Sequence, residues 1–299
     1  MASLKEIKGR IASVSSTLKI TSAMKMVASA KLRKAQNAIG NMVAYQRGLQ
    51  QILSDLTGGA PLSFGAMRPS EDVPAAGVAL VCFSSNSSLC GAFNANVIRE
   101  ALAVVREYEA AGTPVTVYSI GRKMADAMRK AGYPSPADYT QLSGHPNYAE
   151  AANLGRELAE AFTQGRFSRV ELIYNHFKST AHQPTVRETY LPMTELPGEM
   201  DPFEPQVREG NAAPADETFI IEPDKQTQID LLLPKVLRLK IYTVLLDSAA
   251  AEHAARTVAM QTATDNGNDL LQQLTLEYNK SRQAKITAEI LDLEGGSLE

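Results

Sequence analysis

The chain has 299 residues, 44% hydrophobic and 21% charged, with a formal net charge of -3. This is globular composition, long enough for a sizeable core in one large or two smaller domains, and the charge gives no overall electrostatic reason to bind nucleic acid or an acidic membrane surface. Trp is absent and aromatics are only 6%, which suits helix packing built from Ala, Leu, Ile, Val and Met better than a deep aromatic ligand pocket.

From the start of the chain, Leu4, Ile7, Ile11, Val14 and Leu18 recur at spacings of three and four, one narrow seam of a helix. After Lys25 the seam shifts, resuming at Ala28, Leu32, Ala35, Ile39 and Met42 and then at Leu49, Ile52 and Leu56, with no proline before Pro61. At about 1.5 Å per residue, a helix from Leu4 to Leu56 is roughly 80 Å long, more than a compact domain buries along its whole length, so it needs a partner helix. The same stretch is basic, with Lys5, Lys8, Arg10, Lys19, Lys25, Lys31, Arg33, Lys34 and Arg47 against Glu6 and Asp55. Such a face could hold phosphates, be simply solvated, or slide against acidic protein surfaces through many weak contacts. The third use fits a long exposed helix best.

Beyond it the pattern changes. Val78 to Phe83, Val115 to Ile120, Arg169 to Phe177 and Thr185 to Leu191 read as strands, and Ala92 to Ala111, Arg122 to Ala131 and Ala149 to Thr163 as helices. Strands alternating with helices of this length imply βαβ units on a mostly parallel sheet, a small Rossmann-like domain from about residue 75 to 195. Ligands of such folds bind outside the carboxyl ends of strands, which points to the loop Ser84-Ser85-Asn86-Ser87-Ser88-Leu89-Cys90-Gly91. That loop lacks the G-x-G-x-x-G pattern, and no P-loop occurs anywhere, so it reads as a capped turn into the helix at Ala92. His145, His176, His182 and His253 are scattered without metal-ligand spacing, and Cys82 and Cys90 read as buried free thiols. No nucleophile elbow or paired-carboxylate arrangement is present, so no catalytic residue, metal or cofactor is expected.

From residue 191 to 224, nine acidic residues face Arg208 alone amid six prolines, a composition that makes a flexible acidic linker. Leu237, Ile241, Val244, Ser248, Ala251, Ala255, Val258 and Thr262 then repeat the three-four rhythm, with Pro234 in the first turn. This largely small seam suits a close, slender pairing with the N-terminal helix. No apolar run approaches the roughly 20 residues of a membrane span, and the N-terminus lacks the apolar core of a signal peptide. The fold class is therefore α/β plus coiled coil. Long antiparallel helices at 1–60 and 225–299 enclose a Rossmann-like domain at 75–195 and a linker at 196–224.

Three segments carry a resemblance. ITSAMKMVASAKLRKAQ at residues 20 to 36 closely resembles the N-terminal signature of gamma subunits of bacterial F-type ATP synthases. EPD, LLLPK, IYTVLLDSAAAEHAAR, AMQTATDNG and YNKSRQAKITAEIL, in order between Glu222 and Leu291, resemble that family's C-terminal helix, and LCGAFNANVIR its central loop and helix. Where the family often has an acidic and a basic residue before Leu-Cys-Gly, this chain has Ser85-Asn86-Ser87-Ser88, which removes the charges an ionic contact there would use.

The resemblance implies a non-catalytic central rotor shaft that couples proton translocation to ATP synthesis or hydrolysis. Its partners would be the alpha and beta subunits, the epsilon subunit and the membrane c-ring, with no nucleic acid and no substrate of its own. It implies a peripheral place on the cytoplasmic face of the inner membrane. Met24, Lys25 and Arg256 would lie where the shaft meets the beta subunits, and Arg282, Gln283, Thr287 and Glu289 would form the upper contacts. With Met24 opposite Arg256, equal rise sets Leu4 opposite about Leu276, leaving Leu276 to Leu293 as a lone helix of roughly 25 Å. Its exposed Ile290, Leu291 and Leu293 call for an external sleeve. The alternative from a different class is a nucleotide- or flavin-binding α/β protein with coiled-coil arms.

Overall fold

The structure, a computed structural model, describes residues 3–57, 77–193 and 221–295. Most of the expected acidic linker and the side chain of Leu293 lie outside the described residues. Two long helices, α1 (Leu4–Thr57) and α6 (Lys225–Gly295), enclose an α/β segment in the chain. That segment runs β1 (Val78–Phe83), α2 (Phe93–Ala110), β2 (Val115–Ile120), α3 (Arg122–Lys130), a short α4 (Thr140–Gly144), α5 (Tyr148–Thr163), β3 (Arg169–Asn175) and β4 (Thr185–Leu191). The chain divides into two compact units, one of residues 30–255 and one of residues 1–29 with 256–299.

In the larger unit the sheet has the order β2-β1-β3-β4, with β1 parallel to both neighbours and β4 antiparallel to β3. β1 is buried at every position, as a central strand covered on both faces must be, which is why its sequence is a continuous apolar run. One face is closed by α2 and α3 through Val97, Ala101, Val104, Met124 and Met128. The other is closed by α5 and by α6 itself, whose Leu237, Ile241, Val244 and Leu245 share a cluster with Phe83, Leu154, Leu158 and Leu172.

This packing corrects the reading of α6. Leu237, Ile241 and Val244 face the sheet, whereas α1 is met by Leu246, Ala250 and Ala254, which cluster with its Leu32, Ala35 and Ile39. The helix carries two apolar faces here, and the rhythm continued to Val258 and Thr262 extends the sheet-facing one beyond the residues that pack on the sheet. Accordingly Val258 is 42% exposed and Thr262 is exposed. The seam toward α1 continues through His253, Thr257, Met260, Thr264, Gly267, Leu271, Leu274, Tyr278 and Ser281, all buried or half-buried.

On α1 the seam does not shift at Lys25. Half-buried Thr21 and Lys25 fill the positions between Leu18 and Ala28, so the spacing is unbroken. Further on, buried Gln46 and Leu53 continue it, while Ile52 is 48% exposed. Polar residues on seam positions hid the phase from a search for apolar ones. Leu49 and Leu53 pack on Val236 and Leu239, so in this unit the two helices run antiparallel. Pro234 sits well inside α6 rather than in its first turn. The helix begins at Asp224, whose carboxylate accepts from the Thr227 N–H at 2.9 Å and the Thr227 hydroxyl at 2.7 Å.

In the smaller unit the two helices also pair antiparallel. Thr21 Oγ1 lies 2.9 Å from Thr264 Oγ1. Leu18 covers Gly267, where an added Cβ would fall 2.6 Å from Leu18 Cδ2.

Candidate partner-contact surfaces

The loop after β1 is tied to the start of α3. At the N-terminus of α3 the amides of Arg122, Lys123 and Met124 donate to Asn86 Oδ1, Ser85 O and Ser84 Oγ. These are the donors a phosphate would use. Gly121 has φ 95°, and a Cβ there would lie 2.2 Å from Ser84 O, so the two loops touch backbone to backbone.

The turn into α2 is held differently from the expected cap. Ala92 at the N-cap offers no side-chain bond; instead Asn94 Oδ1 accepts the Ser85 N–H at 3.1 Å, and Ser85 Oγ donates to Ser87 O at 2.6 Å. Leu89 adopts φ 67° in this turn. Cys82 and Cys90 are buried free thiols, and burial pushes the Cys82 thiol up. Among the described residues, no group of three or more His, Cys, Asp and Glu could hold a metal ion, and no helix is long and apolar enough to cross a membrane.

The same unit fastens its sheet to α6 with polar bonds. Asp247, almost wholly buried, accepts the Phe177 N–H at 2.9 Å and meets His176 Nδ1 at 2.7 Å. The bond to Asp247 raises the His176 pKa, against the opposing effect of burial. Lys240 Nζ lies 3.1 Å from Glu188 Oε2, and the buried Tyr190 hydroxyl donates to Leu237 O at 3.1 Å. On the opposite face, buried Glu171 accepts from Tyr108 Oη and from Arg187 Nε, each at 2.8 Å. These groups are satisfied by one another and tie α2, β3 and β4 together.

The smaller unit presents the candidate contacts. Arg282, Gln283, Thr287 and Glu289 are exposed, as are all residues from Arg282 to Leu291. Within that stretch Thr287 Oγ1 donates to Gln283 O at 3.0 Å, and Lys285 pairs with Glu289 at 3.5 Å. Met24 and Lys25 are half-buried.

Arg256 departs from expectation: it is 8% exposed, a buried side chain rather than a surface charge. Nor does it face Met24. With Thr21 beside Thr264 and Leu18 beside Gly267, Met24 falls level with about residue 261, and Leu4 with about residue 281. The unpaired tip therefore begins near Arg282, about one and a half turns later than expected, because the register had been set from Arg256.

Sequence reasoning also missed an apolar face on α1, where Ile20, Met26 and Val27 are all more than half exposed. The signal was available: these are large apolar residues lying off the three-four seam.

A family model described as ATP synthase matches residues 3–298. The ATP synthase gamma chain of Phocaeicola vulgatus is 50% identical over 299 residues, covering the whole of both chains. That of Bacteroides fragilis is 49% identical over 302 residues, again covering both completely. A chain of the Euglena gracilis mitochondrial ATP synthase, solved with OSCP, F1 and c-ring in rotational state 3, has the same fold. Its TM-score is 0.60 at 20% identity, covering 99% of this chain and 93% of that one. Full-length identity near one half, in a chain whose two long terminal helices flank a four-stranded mixed sheet in sequence, places it in the ATP synthase gamma chain family.

Proposed function

We propose that this chain is the rotating central stalk of an F-type ATP synthase, turning inside a hexamer of alpha and beta subunits and coupling proton translocation to ATP synthesis or hydrolysis. Its other partners are the epsilon subunit and the membrane c-ring, and it works as a peripheral subunit on the cytoplasmic face of the bacterial inner membrane. The chain itself breaks and forms no bonds. The inserted domain at 75–195 and the adjoining helices act as the foot, and residues 1–29 with 256–299 as the part enclosed by the hexamer.

One observation carries this reading. The smaller unit exposes large apolar side chains on both helices, Ile20, Met26 and Val27 on α1 and Ile286, Ile290 and Leu291 at the tip of α6. Interspersed Lys25, Arg282, Lys285 and Glu289 supply polar contacts. Apolar surface of that extent, on the outer side of the paired helices and on a tip with no partner helix, calls for an external sheath. Because the surface differs around the axis, each orientation meets the surrounding beta subunits with different contact energy, and that difference is what shifts their conformations. Arg282, Gln283, Thr287 and Glu289 make the upper contacts, Met24 and Lys25 the middle ones, and Arg256 braces the helix from within.

The test is reconstitution. Purified chain alone is expected to hydrolyse no ATP, and adding it to alpha and beta subunits to give a stoichiometric complex with sustained ATPase activity. Intrinsic turnover by the pure chain, or failure to enter the complex, contradicts the proposal.

A further inference from the structure

We propose that residues 224–232 of α6 form a strap that opens away from the end of α1 about Pro234, as a unit and without unfolding the rest of the larger unit. This inference does not depend on the stalk reading.

Three observations converge on it, and the first is covalent. Pro234 lies inside α6 and has no N–H, so the carbonyl of Asp230 loses the bond that would close this turn, and the proline ring crowds that carbonyl. A helix that continues through a proline bends most easily there. The second is burial, which changes at the same place. From Glu222 to Leu232 every residue is exposed or half-buried, whereas from Thr243 to Glu252 every one is buried. Leu233, next to the proline, is buried and marks the fixed end. The side-chain hydrogen bonds described for the strap stay within it or its approach. They join Asp224 to Thr227, Gln226 to Asp230 at 3.0 Å, and Gln228 to Glu222 O at 2.6 Å.

The third is packing. Where the strap passes the end of α1 there is a cavity of about 270 Å3, lined by Ile52, Leu56, Ile221, Gln228 and Leu232. Side chains that face a void forgo the dispersion contacts that close packing supplies. Leu232, itself only partly buried, packs on the cluster of Leu49, Leu53, Val236 and Leu239, while Leu231 is 55% exposed. A segment with so little buried apolar surface and with solvent-exposed backbone bonds opens at low free energy, and so short a stretch of helix does not hold itself in water. Opening uncovers Leu56, buried in the closed form, beside the half-exposed Ile52. The strap thus decides whether the end of the helix pair shows an apolar surface.

The test is hydrogen exchange on the full chain, read by mass spectrometry of overlapping fragments. Amides from Gln228 to Leu233 should exchange at one common rate, at least about 100-fold faster than those from Thr243 to Glu252. Pro234→Ala restores the missing bond and should slow exchange in the strap at least about tenfold, with residues 243–252 unchanged. A second reporter is Leu56→Cys, since both native thiols are buried. Its thiol should react with a maleimide, and at least about tenfold more slowly when Pro234→Ala is added. Three results overturn the strap: protection of residues 228–233 equal to that of 243–252, protection that rises residue by residue from Lys225 as at a fraying end, or exchange and thiol reactivity unmoved by Pro234→Ala.

Discussion

Asp247 accepts two hydrogen bonds from the segment after β3 while almost wholly removed from water. Asp247→Ala leaves the Phe177 amide and the His176 ring without their acceptor, and should lower unfolding stability by about 3–5 kcal/mol in urea titrations. The pair also sets a pH dependence. His176 titrates above its ordinary 6.5 in the folded protein because of Asp247, so its stabilising contribution is fully present below about 6.5. It is lost as pH rises through the folded value. Urea stability should therefore decline as pH climbs from about 6 into the alkaline range, and Asp247→Asn should flatten that slope.

Arg256, read from sequence as a surface charge, is buried, so Arg256→Glu should cost roughly 3 kcal/mol or more and reduce folding together with coupling. A variant as stable as the parent would contradict its burial. Gly121→Ala forces a Cβ to 2.2 Å from Ser84 O at a φ of 95°, and should destabilise the α/β unit by at least about 2 kcal/mol in the same assay.

The secondary-structure elements were legible where one physical demand acted on the sequence. Every expected strand is present, β3 ending two residues early, and α2, α3 and α5 differ from expectation by a residue at their ends, while the short α4 was not expected and α6 starts well before Pro234. β1 was plain because a fully buried strand must be apolar throughout. Legibility failed where two demands overlapped. Residues 236 to 254 of α6 face the sheet on one side and α1 on another, so several three-four rhythms coexist, and sequence alone does not say which belongs to which neighbour. Thr21, Lys25 and Gln46 occupy seam positions with polar groups, which broke an otherwise continuous pattern.

The tip was legible in kind and misplaced in register. Residues 282–291 are all exposed, so a chain ending at Ser281 should unfold at the same temperature as the parent within about 2 °C. In complex with alpha and beta subunits it should transmit less torque. A large drop in the melting temperature of the shortened chain would mean that the tip is held by its own unit.

For the molecule as a whole, the sequence motifs identified the family, and the structure shows how the loop after β1 is held. Ser84, Ser85 and Asn86 of that loop accept the first amides of α3. Exposed large apolar side chains occur on both units, and those of the smaller unit, Ile20, Met26, Val27, Ile286, Ile290 and Leu291 among them, lie on the two long helices. The central claim is rotation, and it is tested most directly by watching it. The alpha and beta subunits are fixed to a surface, and a bead is attached to this chain through its exposed α/β unit. On adding ATP, the bead should turn in one direction in three steps per revolution, one for each beta subunit. Steady ATP hydrolysis with the bead stationary, in complexes shown to contain the chain, would contradict the account.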